Sequence, residues 1–210
     1  MVKQERAART RQALIRAGAE VFAKEGFAPA SLSSISRRAG VSNGALHFHF
    51  ESKKALAFAV EAEALEAVRQ VVRDAQGGDD GPLQALVAAT YGLMGRIADD
   101  IVVRAGFALC GVPGQGKPPS LRREWQCWVE ETLRRAEADG WLAAGISPGD
   151  AASAVVAVVV GFEVLGSEDR SWLSEQKVTG FWDLLLPRLT ERARPAVGGG
   201  SAEQVRGETA

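Results

Sequence analysis

Residues 31–56 read SLSSISRRAGVSNGALHFHFESKKAL, and their apolar spacing is that of two short helices joined by a sharp turn. The spacing predicts a first helix over 32–39, with Leu32, Ile35 and Ala39 on one face. Gly40 supplies the positive φ that ends it. A second helix is expected from Asn43 to His49. Val41, Leu46 and Phe50 lie beyond the turn and would pack the two helices together. Ser31 and Ser42 stand just before the two starts, where a serine oxygen accepts an unpaired first-turn N–H. Ser33, Arg37, Ser42, Asn43, His47 and Lys53 are left facing outward. Small, polar and basic groups at the start of the second helix of such a pair suit the DNA major groove.

Charge around this stretch is uneven. Residues 1–54 hold ten Lys/Arg against four acids, and the rest of the 210-residue chain holds 15 against 22. The net charge of −1 therefore hides a basic head on an acidic body. That is the electrostatic footprint of a nucleic-acid-binding module attached to an effector domain. A hydrophobic content of 46% is ample for a core. No window of ~18 consecutive strongly apolar residues is evident, so a membrane span is not expected. The longest apolar run, 151–165, includes Ser153, Gly161 and Glu163 and reads as a buried helix. The basic start MVKQERAARTRQALI lacks the apolar segment of a secretory signal. Cys110 and Cys127 make no disulfide framework and read as small buried hydrophobes in a reducing cytoplasm.

Further helices are expected over 6–24, 53–76, 82–97, 100–110, 121–139, 147–165 and 171–192, the last bent at Gly180 and near Pro187. GGDDGP (77–82) and GVPGQGKPPS (111–120) are loops. No strand alternation is convincing. The fold class is therefore all-α: an N-terminal three-helix helix-turn-helix domain (1–52), a larger helical ligand-binding and dimerisation domain (53–194), and a disordered tail (195–210).

Arg11 and Ser33 are placed to reach phosphates flanking a groove. Ser42, Asn43 and Ala45 are the expected base readers, by hydroxyl, amide and methyl. Gly44 lets the backbone approach DNA closely. Lys53 combines its charge with the N–H donors of a helix start. His47 and His49 are two apart, which puts them on different helix faces, so no metal site is expected. No Ser/His/Asp set, paired-carboxylate motif or phosphate loop is visible; an enzyme is not expected, nor a cofactor. In the second half Met94, Phe107, Trp125, Trp128, Trp141 and Phe162 could enclose a ligand cavity or be plain core. Residues 155–160 are nearly all apolar, and Trp172, Phe181, Trp182, Leu184 and Leu185 follow. One subunit is not expected to bury all of them. A two-fold four-helix interface carrying Val155, Val159, Trp172, Phe181, Trp182 and Leu185 would. Such a homodimer sets two recognition helices ~34 Å apart, one DNA turn, on a palindromic operator.

The 31–56 stretch resembles the TetR family of transcriptional repressors, whose pattern is roughly T/S-x-x-x-I-A-x-x-A-G-V-S/T-x-G-x-L/I-Y-x-H-F-x-x-K-x-x-L. Ser31, Ile35, Ala39, Gly40, Val41, Ser42, Gly44, Leu46, His49, Phe50, Lys53 and Leu56 match it. Ser36 stands where alanine is usual, His47 where tyrosine is usual, and Asn43 where lysine is frequent. The resemblance implies phosphate contacts from His47 and Lys53. Farther on, DDIVVRAGFAL, GVPGQGKPP and REWQCWVEETL resemble the γ-butyrolactone-receptor branch found in antibiotic-producing actinomycetes. There a pocket-lining tryptophan follows a Pro-rich loop, and Trp125 is the matching residue. Many true receptors of that branch carry a ligand-bonding glutamine in the long helix and a threonine after V-V-G. An ungapped alignment puts Ala64 and Phe162 there. An unpaired buried ligand oxygen costs about 1–3 kcal/mol, so the expectation is a pseudo-receptor for a larger or more apolar signal. The whole implies a cytoplasmic homodimeric repressor, released from DNA by a small effector and controlling secondary-metabolite genes. The alternative is a DNA-binding regulator without a small ligand, or one answering to a protein partner.

Overall fold

The computed structural model describes residues 2–78, 80–110 and 120–190, with residues 2 and 3 described by backbone alone. The loop expected over 111–120, apart from Ser120, and the disordered tail expected over 195–210 lie outside the described residues. Within them are nine α-helices and no strand. They are α1 (Val2–Glu25), α2 (Leu32–Arg38), α3 (Asn43–His49), α4 (Lys53–Gln76), α5 (Pro82–Asp99), α6 (Ile101–Leu109), α7 (Leu121–Ala138), α8 (Pro148–Glu168) and α9 (Glu175–Thr190). A 3-10 turn, Arg170–Leu173, precedes α9 where a continuous helix from Ser171 is expected. Asp169 explains the interruption: its carboxylate accepts the Ser171 N–H and so caps a separate turn.

Local chemistry accounts for the starts and stops. Ser31, Ser42 and Ser52 each accept the N–H three residues on, from Ser34 (3.0 Å), Ala45 (3.1 Å) and Ala55 (3.1 Å). After α2 the N–H of Gly40 bonds the Arg37 carbonyl and that of Val41 bonds the Ser36 carbonyl. Gly40 takes φ +68°, so these two bonds close the C-terminal turn that a left-handed residue permits.

The core is continuous from Leu14 on α1 to Leu189 on α9. α4 is its spine, packed on α1, α5, α6 and α7. Two glycines allow the close approaches. A Cβ on Gly18 would stand 3.1 Å from Leu56 Cδ2, and one on Gly106 would stand 2.4 Å from Ala64 Cβ. A part-buried ion pair clamps α7 to α8, with Arg122 Nη2 2.7 Å from Glu163 Oε2. α8 corrects one expectation. Over 18 residues its mean hydropathy is 1.7, long and apolar enough to cross a membrane by length and composition, yet only 39% of that window is buried in this subunit.

The exposed part of α8 is not the face expected. Val155, Val159 and, on α9, Trp182 are buried within their own subunit, because α8 packs on α7 and α5 and α9 packs on α5. They are core residues and correct the expected dimer set. Trp172, Phe181 and Leu185 are half-buried. The outward face instead carries Ala157, Val164 and Leu165 on α8, and Leu184 on α9 at 80% exposure. Gly161 and Gly180, whose added Cβ atoms would meet nothing within 4 Å among the described residues, lie on the same two helices.

Candidate nucleic-acid interface and effector cleft

α2 and α3 close on a small apolar centre. Ile35, Leu46 and Phe50 are buried, with Leu32, Ala39 and Val41 packed against them. That burial fixes which side of α3 is free. Ser42, Asn43, Gly44 and His47 are exposed, Ala45 is half-buried, and Ser33 is exposed on α2. Among the described residues a Cβ on Gly44 would find only Ser42 Oγ, at 3.9 Å, so the backbone there is open to close approach. Arg11 reaches over from α1, its guanidinium 5.3 Å above the Phe50 ring. This exposed arginine is thereby held beside the end of α3. Arg38 is engaged differently, in an ion pair with Glu20 that ties α2 to α1.

Two features of this surface escaped the sequence reading. Phe48, at 81% exposure, is the most exposed large apolar side chain of the chain's described residues and stands edge-on to His49 at 5.2 Å. Its position in the motif is variable, so the pattern drew no notice to it. The second is a hydrogen bond from Ser36 Oγ to Asn43 Oδ1, 2.6 Å, across the turn.

Lys53 is a correction. Its ammonium donates to the carbonyls of Phe27 (2.7 Å), Ala28 (2.8 Å) and Ala30 (2.8 Å) and lies 4.7 Å over the Phe27 ring. An ammonium has three donors, and all three are used. Lys53 therefore ties the start of α4 to the turn between α1 and α2 rather than reaching a phosphate. No short-range signal marks this, because the three carbonyls lie 23–26 residues away.

The second site is a cleft of about 400 Å³ between α4 and α7. Val68, Val72, Trp125, Trp128 and Cys127 line it, and Arg69, Arg73, Glu124 and Glu131 form its charged rim. The rim is partly neutralised, with Arg69 2.9 Å from Glu124 and Arg73 2.7 Å from Glu66. Trp125 is 1% exposed, and its ring centroid lies 5.1 Å from that of Trp128. The Nε1–H of both indoles is buried without an acceptor among the described residues, as is the Thr132 hydroxyl on the same helix. A buried donor left unpaired costs about 1–3 kcal/mol. An oxygen acceptor brought within reach of either donor would relieve that cost.

Three expected ligand residues do not line this cleft. Met94 and Phe107 are buried in the core of α5 and α6. Phe162 packs against Trp172 (6.4 Å) and Phe181 (6.3 Å). Aromatic and Met side chains at helical spacing are most often core, and here that prevails. Trp141 is half-exposed and stands over Gly81, where a Cβ would come within 2.8 Å. Ala64 faces Gly106, where an added Cβ would collide with its own, and is not among the residues that line the cleft. Cys127 is exposed, not buried, because it sits at the cleft surface; Cys110 is half-buried, its thiol donating to the Gly106 carbonyl at 3.3 Å.

Comparison with known proteins agrees with this architecture. Residues 14–60 match the pattern of the bacterial regulatory proteins of the tetR family. The A-factor receptor protein of Streptomyces griseus is 33% identical over 204 residues, which is 94% of this chain and 68% of the relative. The crystal structure of a γ-butyrolactone receptor, described as an ArpA-like protein, superposes with a TM-score of 0.76. It is 29% identical, covering 88% of this chain and 90% of that one. CprB, a TetR family protein of Streptomyces coelicolor solved in complex with its biological operator sequence, gives a TM-score of 0.75. It too is 29% identical, covering 89% and 90% of the two chains.

Proposed function

Given that this chain belongs to the TetR family and is a butyrolactone-receptor-like regulator, we propose that it is a homodimeric repressor released from a palindromic operator by a small apolar effector. Residues 1–52 are the DNA-reading part and 53–194 the effector and dimerisation part. Arg11 and His47 contact phosphates, with Ser33 beside them. Ser42, Asn43, Gly44 and Ala45 meet the bases. The apolar face of α8 and α9 joins the two subunits, Gly161 and Gly180 allowing helices to approach closely. The protein works in the cytoplasm, on genes of secondary metabolism.

The cleft beside Trp125 carries the effector part of this reading. Its volume of about 400 Å³ suits a drug-sized molecule. Its chemistry asks for an apolar body against Val68 and Val72 and for carbonyl or lactone oxygens facing the Trp125 and Trp128 N–H groups. Such a molecule is a butyrolactone or an antibiotic of similar polarity. With Ala64 and Phe162 away from the cleft, these tryptophans replace the glutamine and threonine anchors of the receptor branch.

Release follows from linkage. A ligand wedged between α7 and α4 favours one position of α4 over another. Lys53 carries that displacement to the turn before α2, so α4 and the DNA-reading helices move together. Moving a dimer from nearly all bound-competent to nearly all incompetent needs about 5.5 kcal/mol of differential affinity.

A gel shift tests the proposal. The protein is mixed with the promoter region of its own gene, and extracts of the producing organism, then pure butyrolactones and antibiotics, are titrated in. The proposal expects a retarded band that one compound abolishes. A band that no extract or compound disturbs would favour a regulator without a small ligand.

A further inference from the structure

We infer that Ser36 sets which base Asn43 reads, by occupying one end of its carboxamide. This rests on the reading of α3 as the DNA-reading helix. Ser36 is 3% exposed, so its hydroxyl is fixed behind the motif rather than free in solvent. Two acceptors compete for its single proton: Asn43 Oδ1 at 2.6 Å and the Ser33 carbonyl at 3.2 Å. The nearer one takes it. A separation of 2.6 Å is ordinary for O–H···O and short for N–H···O. The carboxamide therefore turns its oxygen inward to Ser36 and its NH₂ outward from the exposed first turn of α3.

That orientation has a consequence for readout. A free asparagine offers a donor and an acceptor side by side, which matches the N6–H₂ and N7 of adenine. With Oδ1 turned inward to Ser36, Asn43 presents donors alone on its outer side. Two outward N–H groups match guanine, whose N7 and O6 are both acceptors, and match adenine at one atom only. Both residues depart from the usual family pattern, and they bond to each other. Ser36 is thus a positioning residue, and the sequence preference it sets is for guanine over adenine at the base facing Asn43.

The test uses the full chain and a library of random duplexes, with defined duplexes for affinities afterwards. Asn43→Ala identifies the base pair, as the position whose preference it flattens. Wild type is expected to favour guanine there. Ser36→Ala frees Oδ1 and should raise adenine relative to guanine by about tenfold, the worth of one good base contact. Added to Asn43→Ala, Ser36→Ala should change the base preference no further. Alanine is the residue usual at position 36, and equal melting temperatures would confirm intact folding. A Ser36→Ala protein that weakens on all duplexes alike, or keeps the wild-type ratio, would overturn the inference, as would a wild-type preference for adenine. If wild type enriched no duplex at all, the DNA-reading role of α3 would fall first and this inference with it.

Discussion

Lys53 and Glu61 stand two turns apart on α4 and show how much a neighbourhood decides about a charge. Lys53 is matched by three carbonyls. Lys53→Met should lower stability by about 1.5–3 kcal/mol, the range for bonds to a charged donor. It should weaken operator binding through misplaced helices, yet leave unchanged the slope of log affinity against log salt. A phosphate-neutralising lysine would take about 0.9 from that slope, and such a fall would return Lys53 to the phosphate role. Glu61 is the opposite case. It is buried, its Oε2 has no partner among the described residues, and burial raises its pKa above the ordinary 4.5. The folded state then holds the proton more tightly than the unfolded chain, so the ionised form is what destabilises. That cost is full above the raised pKa, shrinks as pH falls through it, and vanishes below 4.5. Glu61→Gln should therefore be more stable than wild type at neutral pH, with the gain lost in acid. Urea titrations across pH measure it, and a gain that grew toward low pH would contradict the account.

Helices were legible from sequence where a local cap announced them. Ser31, Ser42 and Ser52 predicted three starts that the hydrogen bonds reproduce, and Gly40 predicted the turn. What escaped were contacts between helices, which no local pattern encodes. The Lys53 carbonyl cluster is one, and the Ser36–Asn43 bond is another, its only hint being two polar residues in unusual places. Val155, Val159 and Trp182, expected at the dimer interface, are buried in their own subunit, because a run of apolar residues does not show which neighbour claims which face. Gly106 is a further contact of this kind, since only the fold brings it against Ala64. Gly106→Ala gains about 1 kcal/mol of helix propensity but drives a methyl into the α4–α6 seam, where overpacking costs about 1–3 kcal/mol. We expect a net loss of up to about 2 kcal/mol by chemical denaturation; a stabilised variant would mean that the seam is loose.

The basic head and acidic body join through α4, whose start is bonded to the turn between α1 and α2 and whose middle walls the tryptophan cleft. One helix touching both sites is the physical basis for coupling them, and coupling is what distinguishes a ligand-released repressor from a plain DNA-binding protein. The chain has five tryptophans, so the part of the emission that is lost in Trp125→Phe reports on the cleft, and a dye-labelled operator reports on release. Both signals can be followed in one titration of the wild-type protein with the compound that abolishes the gel shift. The account predicts that Trp125 emission and operator release change with the same midpoint, and that Trp125→Phe, which removes the N–H donor, shifts release to higher concentration. Release that proceeds with Trp125 emission unchanged and is indifferent to Trp125→Phe would place the effector elsewhere and contradict the central claim.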